Sequence, residues 1–142
     1  MPNKEMFIDQ IGYPVLSLHM LDAQREWDEK NDRIAFYHRF LERSKDTAET
    51  DLRVVVGEDA GFPFTMEVVV SGIFRVSDYA SSDEGLFLMK NTSITVLYPY
   101  LRSAVANLCA LAGVKPITLP VIDTLSFFGN QTQKKDPVLT EK

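Results

Sequence analysis

A strict alternation of apolar and polar residues between Arg53 and Val76 constrains this chain more than any other feature. The even positions are apolar or small on both sides of a break: Val54, Val56, Phe62, Phe64, Met66, Val68, Val70, Gly72, Phe74 and Val76. Successive side chains of a strand point to opposite faces, so a period of two predicts strands with one buried face. The break at residues 57–61 has the glycine and acidic composition of a hairpin loop. The chain is therefore predicted to contain two antiparallel strands here.

Two further strands are predicted upstream of this pair. Ile34 to Phe40 alternates in the same way, and its predicted partner is Met6 to Leu21. Pro14 cannot donate a hydrogen bond to a ladder, which favours an edge position or a bulge for that partner. The polar stretch Arg43 to Asp51 is interpreted as a turn, and the charged stretch Asp22 to Asp32 as a long surface connection around the tryptophan.

A different pattern follows the strands. Residues 81–85 are interpreted as a loop, and from Thr92 to Ala112 the apolar spacing of three and four predicts a long helix. Pro99 is expected in its first turn or at a kink, and Gly113 at its left-handed end. A short amphipathic helix is predicted around residues 123–128, followed by a frayed tail at 129–142. Strands followed by helices indicate an α+β fold, with helices on one face of a four-stranded antiparallel sheet.

Composition limits the function classes. A chain of 142 residues fits a single domain spanning 1–142, and its net charge of −5 disfavours nucleic acid as a partner. No apolar run reaches 18 residues, which disfavours membrane insertion, and the first residues do not resemble a signal peptide. We expect a cytoplasmic protein.

No catalytic or metal site is predicted. His19 and His38 lie in predicted strands, and they could form a metal pair only if those strands were neighbours. Cys109 is the sole cysteine and lies among apolar helix residues, where it behaves as a small hydrophobe. The carboxylate pairs lie in predicted loops and are interpreted as solvated. We therefore expect neither an enzyme nor a cofactor.

Large aromatic residues on predicted surface elements are the remaining functional signal. Trp27 lies in the charged connection, and Phe127 and Phe128 are adjacent on the short helix. Neighbouring helix residues point about 100° apart, so one of that pair is hard to bury in a small domain. Exposed aromatic residues indicate a partner or client, although packing on the chain's own core is an equally good interpretation.

Several segments in a constant order resemble the SecB family of protein-export chaperones. Residues 95–102, Thr-Val-Leu-Tyr-Pro-Tyr-Leu-Arg, resemble the segment that opens the long SecB helix, and Gly72-Ile73-Phe74 is similar to the end of a SecB strand. Residues 118–121, followed by Leu125 and by Phe127 or Phe128, are similar to the link into the last SecB helix. Glu26-Trp27 matches an acidic-Trp pair in the SecB crossover loop.

The resemblance implies an ATP-independent chaperone assembled as a homo-oligomeric dimer of dimers. It assigns client binding to Trp27, Leu125, Phe127 and Phe128, and makes Glu67 a candidate contact for the SecA motor. The implied subunit interface comprises Phe64, Met66, Val68, Val70, Leu101, Val105 and Leu108. The strand members of that set are expected to serve as core as well.

Departures from the SecB pattern leave the partner open. Val15 and His19 occupy first-strand positions that are acidic in SecB, and Lys134-Lys135 lie where SecB has an acidic tail. We therefore expect unfolded clients as partners, with SecA or an antitoxin as candidates. The alternative is a dedicated interaction protein of the same fold. A ligand-binding protein or enzyme using the sheet–helix crevice is a distant third.

Overall fold

The computed structural model describes residues 4–22, 34–117 and 119. Its sheet has four strands in the order β1-β4-β3-β2, and every neighbouring pair is antiparallel. The strands are β1 (Phe7–Met20), β2 (Ala35–Glu42), β3 (Thr47–Val56) and β4 (Phe64–Arg75). The hairpin between β3 and β4 contains a single 3₁₀ turn at Glu58–Ala60, as the glycine-rich break predicts. The α+β fold class with a four-stranded antiparallel sheet is confirmed.

β1 pairs with β4, and within the described part of the chain its other side is a sheet edge. The predicted pairing of β1 with β2 is therefore wrong, since these strands lie at opposite edges. The prediction for Pro14 is confirmed on both counts, because the β1–β4 register shifts between Gly12 and Val15. A second shift lies between Ile8 and Gln10.

Residues 43–46 form the turn between β2 and β3, as predicted, but β3 begins at Thr47, so the prediction is wrong for residues 47–51. Polar residues alternate here between two buried environments. Thr50 lies on the side of the sheet that packs against the helix, where its hydroxyl lies 2.9 Å from the hydroxyl of Ser93. Glu49 and Asp51 lie on the opposite side, among arginines. The polar residues at the start of β3, which are typical of a turn, are thus stabilised in a strand by charge pairing with the neighbouring strand.

The long helix starts earlier than its apolar spacing predicts. It runs without interruption over Asp83–Ala112 as α1 (Asp83–Phe87), a π-helical segment (Leu88–Thr92) and α2 (Ser93–Ala112). The hydroxyl of Ser82 accepts a hydrogen bond from the backbone N–H of Gly85 at 3.0 Å and caps the start. The predicted loop at residues 81–85 is therefore wrong for residues 83–85, and Pro99 lies inside the helix and not in its first turn. Gly113 ends the helix with φ of 73° as predicted.

The core fills the space between the sheet and α2. We call the side of the sheet that α2 covers the helix face and the other side the open face. The even-numbered residues of β3 and β4 point to the helix face and are buried with the inner side of α2. At Gly72 an added Cβ would lie 2.6 Å from the Phe74 ring and 3.0 Å from Leu97, so the helix approaches the sheet closely there.

The helix Asp83–Ala112 is long and apolar enough in composition to cross a membrane. The core helix of a soluble protein passes the same test, and here the side chains of Leu97, Leu101 and Val105 are buried against the sheet. This packing accounts for the apolar residues on the inner side of the helix.

Candidate binding surfaces

The client-binding residues that the resemblance implies lie outside the described part of the chain. These residues are Trp27, Leu125, Phe127 and Phe128. Their role stays a prediction, as do the short last helix and the tail.

The residues assigned to a subunit interface lie in the core of the single chain. Phe64, Met66, Val68, Val70, Leu101 and Val105 are each at most 3% exposed, and Leu108 is half-buried. The core role expected of the strand members is therefore confirmed, and the subunit-contact role stays a prediction. In this conformation a second chain would be reached by exposed neighbours, because a fully buried side chain has no surface left to share.

Exposed apolar side chains on β1 and α2 were not predicted. Ile8 and Leu16 pair with Phe74 and Val68 across the β1–β4 ladder, so they lie on the helix face. They are nevertheless 48% and 50% exposed, because α2 packs mainly over β3 and β4. The apolar alternation of β1 is visible in the sequence, but which strands the helix covers is not.

Exposed apolar residues continue on the outer side of the helix. Tyr100 is 43% exposed and Leu111 is 85% exposed. The hydroxyl of Tyr13 in β1 donates a hydrogen bond to the carbonyl oxygen of Tyr100 at 3.1 Å, which ties the two elements together. Exposed apolar side chains indicate a contact surface when several of them lie together.

A groove of about 440 Å³ lies between α2 and the extended chain that follows it. The Arg102 guanidinium holds this chain by donating from Nε to the carbonyl oxygen of Leu119 at 3.1 Å. The groove is lined by Pro99, Arg102, Ser103, Ala106, Pro116, Ile117 and Leu119. Its lining is mostly apolar, which suits a peptide side chain better than a charged metabolite.

The SecA-contact candidate Glu67 is already paired on the open face. Its carboxylate accepts a hydrogen bond from Nε of Arg53 at 2.9 Å, and the Arg53 guanidinium also lies 5.2 Å from the centre of the Tyr37 ring. The negative charge of Glu67 is therefore already neutralised by Arg53 before any partner binds. It lacks the unpaired negative charge that would attract a basic protein.

A charge network occupies the centre of the open face. Arg39 of β2 donates from Nη2 to Asp51 at 2.5 Å and to Glu49 at 3.2 Å. Arg43 donates from Nε to Glu49 at 3.2 Å and from Nη2 to the same oxygen, and Ser71 Oγ donates to Glu49 at 2.9 Å. We call these five residues the charge network. At the rim, Arg75 pairs with Asp9 at 3.3 Å.

The open face is therefore balanced in charge and not acidic. Within residues 4–22 and 34–117, its four arginines (Arg39, Arg43, Arg53 and Arg75) each contact a carboxylate. Paired charges of this kind favour a partner that is matched in shape over one that is attracted by net charge.

Burial separates the acidities of the two carboxylates in the charge network. Burial raises the pKa of Asp51 to about 6, helped by the adjacent Glu49 and opposed by Ser71 and Arg39. Burial would raise the pKa of Glu49 as well. Hydrogen bonds with Arg43, Asp51 and Ser71 outweigh this effect of burial, and they lower the pKa of Glu49 to about 2. Burial and the paired arginines therefore shift the pKa values of these two carboxylates in opposite directions.

The described residues provide no convergence of reactive groups. Among them, no three histidine, cysteine or acidic residues cluster as metal ligands. His19 and His38 lie on β1 and β2, at opposite edges of the sheet, so these strands are not the neighbours that a metal pair requires. Burial raises the pKa of Cys109, the opposite of what a reactive thiol needs.

The described residues thus form a sheet with one face covered by a helix, exposed apolar side chains beside the helix and an open face that is balanced in charge. Residues 16–135 match the family described as "Preprotein translocase subunit SecB". The chain belongs to the SecB family, as the ordered segments predict.

The chain shares 28% sequence identity or less with the following relatives. It is 28% identical over 123 residues to an uncharacterized protein of Methanocaldococcus jannaschii, covering 82% of this chain and 79% of that one. A SecB-like chaperone of Mycobacterium tuberculosis, solved with a peptide from an antitoxin, has a TM-score of 0.59 at 16% identity over 83% of this chain and 88% of that one. A Streptococcus agalactiae protein of unknown function has a TM-score of 0.57 at 15% identity, covering 84% and 100%. The structural likenesses confirm the SecB-like fold of a divergent member.

Proposed function

We propose that this protein is an ATP-independent SecB-like chaperone that binds unfolded or aggregation-prone polypeptides. The observation that carries the proposal is the apolar surface that the chain leaves uncovered beside its helix, at Ile8, Leu16, Tyr100 and Leu111. Family membership and the antitoxin peptide bound by the Mycobacterium tuberculosis relative support it. The function is binding without catalysis, carried out in the cytoplasm by a single domain without a cofactor.

The proposal includes self-association, as a dimer of dimers. The exposed side chains of β1 and α2 are the surface available for subunit contacts, since the inner residues of the helix are buried. Several subunits would present the same weak apolar contacts repeatedly, and such multivalency strengthens binding without sequence specificity. Light scattering should give a mass above that of one chain. A monomer at all concentrations would remove the multivalent mechanism.

The carboxylates of the open face are paired with arginines. This pairing favours polypeptide clients, or a single peptide partner, over SecA as the binding partner. Glu67 is paired with Arg53, and the neighbouring carboxylates are paired with other arginines. The second candidate function is therefore a dedicated interaction protein that binds a single partner, such as an antitoxin. The Mycobacterium tuberculosis relative was solved with a peptide from an antitoxin, which supports this second candidate function. A pull-down returning one stoichiometric protein supports this candidate, and a heterogeneous client set supports the general chaperone.

An aggregation assay without ATP tests the main proposal. The purified protein, equimolar with a heated or reduced client, should slow the rise in light scattering. Leu111→Ser should weaken this effect because Leu111 is, among the described residues, the most exposed large apolar side chain. Ala110→Ser is the matched control, since it adds a hydroxyl at the neighbouring exposed position. Wild-type protein that leaves client aggregation unchanged at stoichiometric amounts would refute the chaperone proposal.

A further inference from the structure

We propose that β2 opens from β3 as a unit while the rest of the sheet stays folded, and that the charge network governs this opening. Among the described strands, β2 pairs only with β3, so a single ladder attaches it. Arg39 lies directly opposite Asp51 near the middle of that ladder. It is the side chain through which β2 enters the charge network.

Burial and packing distinguish β2 from the other strands. The two edge strands contain no buried residue, whereas most residues of β3 and β4 are buried. The edge strand β1 has a longer ladder, and Tyr13 ties it to the helix by a hydrogen bond to the carbonyl oxygen of Tyr100. α2 packs mainly against β3 and β4, so it contributes little to holding β2. Strands with few buried side chains open locally at a lower free energy than the core does, which makes β2 the strand to open first.

Anchors on both sides of β2 set the limits of the opening. Ile34, which precedes the strand, is buried in the core. In the turn that follows the strand, the carbonyl oxygen of Asp46 accepts a hydrogen bond from the backbone N–H of Val76 at 2.8 Å. The carboxylate of Asp46 accepts another from the backbone N–H of Asp78 at 2.6 Å. The segment that opens therefore lies between residues 34 and 46.

The charge network is buried although it lies on the open face. Side-chain exposure is 11% for Arg39, 11% for Glu49 and 3% for Asp51. Three of its buried polar atoms have no hydrogen-bond partner among the described residues: Nε and Nη1 of Arg39, and Oδ1 of Asp51. Native structures rarely leave such atoms unpaired, and the cost of burying charges is offset only by full pairing. The closed network is therefore incompletely compensated, and opening returns these atoms to water.

Such a network fixes the position of β2 without holding it strongly. Arg39 donates to Asp51 at 2.5 Å and to Glu49 at 3.2 Å, and both contacts require the observed register. A slip of one residue would turn Arg39 to the helix face. The hydration that the charged groups regain on opening offsets much of their mutual attraction. The network thus favours a closed strand in one register that opens at a small cost in free energy.

Hydrogen exchange of the backbone amides tests the opening in the wild type. The amides of β2 that pair with β3 should be protected about a hundredfold less than the amides at the centre of β4. At low urea concentration their exchange should be almost independent of urea, because a local opening exposes little surface. Equal protection and equal urea dependence in β2 and β4 would mean that β2 separates only on global unfolding, which would overturn the proposal.

Two variants of the pair that faces across the ladder test the role of the network. Arg39→Met should lower the protection of β2 about a hundredfold, because Asp51 is left buried without its cation. The double variant Arg39→Met/Asp51→Val removes both charges and should restore the protection of β2 to the wild-type value, or raise it about tenfold above that value. Arg75→Met is the matched control. It breaks the half-exposed pair with Asp9 and should change the protection of β2 less than about threefold.

The double variant separates the proposed role from simple attraction between opposite charges. If the network only attracted β2 to β3, the double variant would hold β2 as loosely as Arg39→Met does. That result would overturn the role of the network, and so would an Arg39→Met variant whose β2 protection stays within about threefold of the wild type.

A consequence for client binding rests on the proposed chaperone function. Phe40 of β2 packs against the core, so opening of the strand uncovers apolar surface at the edge of β3. Ala35→Cys/Val55→Cys places two thiols directly opposite each other in the ladder, while Cys109 is buried elsewhere. The oxidised form, in which a disulfide closes β2, should slow the aggregation of a heated client less than the same variant in its reduced form.

The outcomes distinguish the opening from the chaperone function. If neither form affects client aggregation while the exchange results hold, the proposed function fails and the local opening stands. If both forms slow aggregation equally, the chaperone function stands and the opening of β2 has no part in it.

Discussion

The two faces of the sheet bury residues by different means. The helix face is covered by α2, and its side chains are apolar and almost fully inaccessible. The open face has no described helix over it, yet Glu49, Asp51 and Val69 are at most 8% exposed because long neighbouring side chains, arginines among them, cover them. The comparison shows that stems of charged residues can cover a sheet as a second layer would.

The contrast predicts that the helix face dominates stability. Leu101→Ala should lower the free energy of unfolding by about 3.5 kcal/mol, because it leaves a cavity where the helix meets the sheet. The matched control on the outer side of the same helix is Leu111→Ala, which should change it by less than about 0.5 kcal/mol. Urea denaturation measures both. Equal losses would mean that the two sides of α2 are not differently packed.

The charge network should contribute less than the core but more than an exposed pair. Glu49→Gln should cost about 2.5 kcal/mol at pH 7, since it leaves two arginines without their shared carboxylate. The pKa of Glu49 is lowered from 4.5 to about 2, so its stabilisation is complete above 4.5 and is lost as the pH falls towards 2. The difference between variant and wild type in thermal unfolding should therefore disappear near pH 2. A difference that is independent of pH would exclude a charge effect.

Two glycines, one under the helix on β4 and one on the edge strand β1, sharpen the comparison further. Gly72→Ala should cost about 1.5 kcal/mol, because the new methyl group would overlap the Phe74 ring under the helix. Gly12→Ala on β1 meets no atom within 4 Å and should be neutral within about 0.5 kcal/mol. Thermal unfolding of the two variants decides the point. A neutral Gly72→Ala would mean that Phe74 and Leu97 can move aside.

The smallest effect is expected at the border of the open face. Glu67→Gln should lower stability by about 0.5 kcal/mol, because its pair with Arg53 is partly exposed to solvent. Raising the salt concentration should shrink this difference. A loss of more than about 2 kcal/mol in the free energy of unfolding would mean that Glu67 contributes as much as a residue of the buried charge network.

The elements of the fold could largely be predicted, but not their arrangement. Period-two alternation identified β4, and the three-and-four spacing identified α2, because each pattern reports local burial. The pairing of β1 with β4 depends on contacts between residues far apart in sequence, which alternation does not encode. The start of the helix at Asp83 was missed because its signal is one serine cap and not an apolar stripe.

The surfaces were less predictable than the fold. Ordered matches to SecB identified the family, yet every client-binding residue they implied lies outside the described chain. The charge network draws on β2, the following turn, β3 and β4, so no single motif could reveal it. Glu67 could be named from its position in the family, but its pairing with Arg53 depends on which residues face each other across two strands.

The two register shifts of β1 have a consequence for how the protein avoids the fate of its proposed clients. A long straight edge strand is a template onto which other strands can add without limit. On β1, the irregularities at Asp9 and at Tyr13–Pro14 interrupt the spacing of backbone hydrogen-bonding groups, and proline supplies none of its own. The apolar side chains of β1 can still contact another chain. The irregular backbone, however, prevents the continuous addition of strands that a fibril requires.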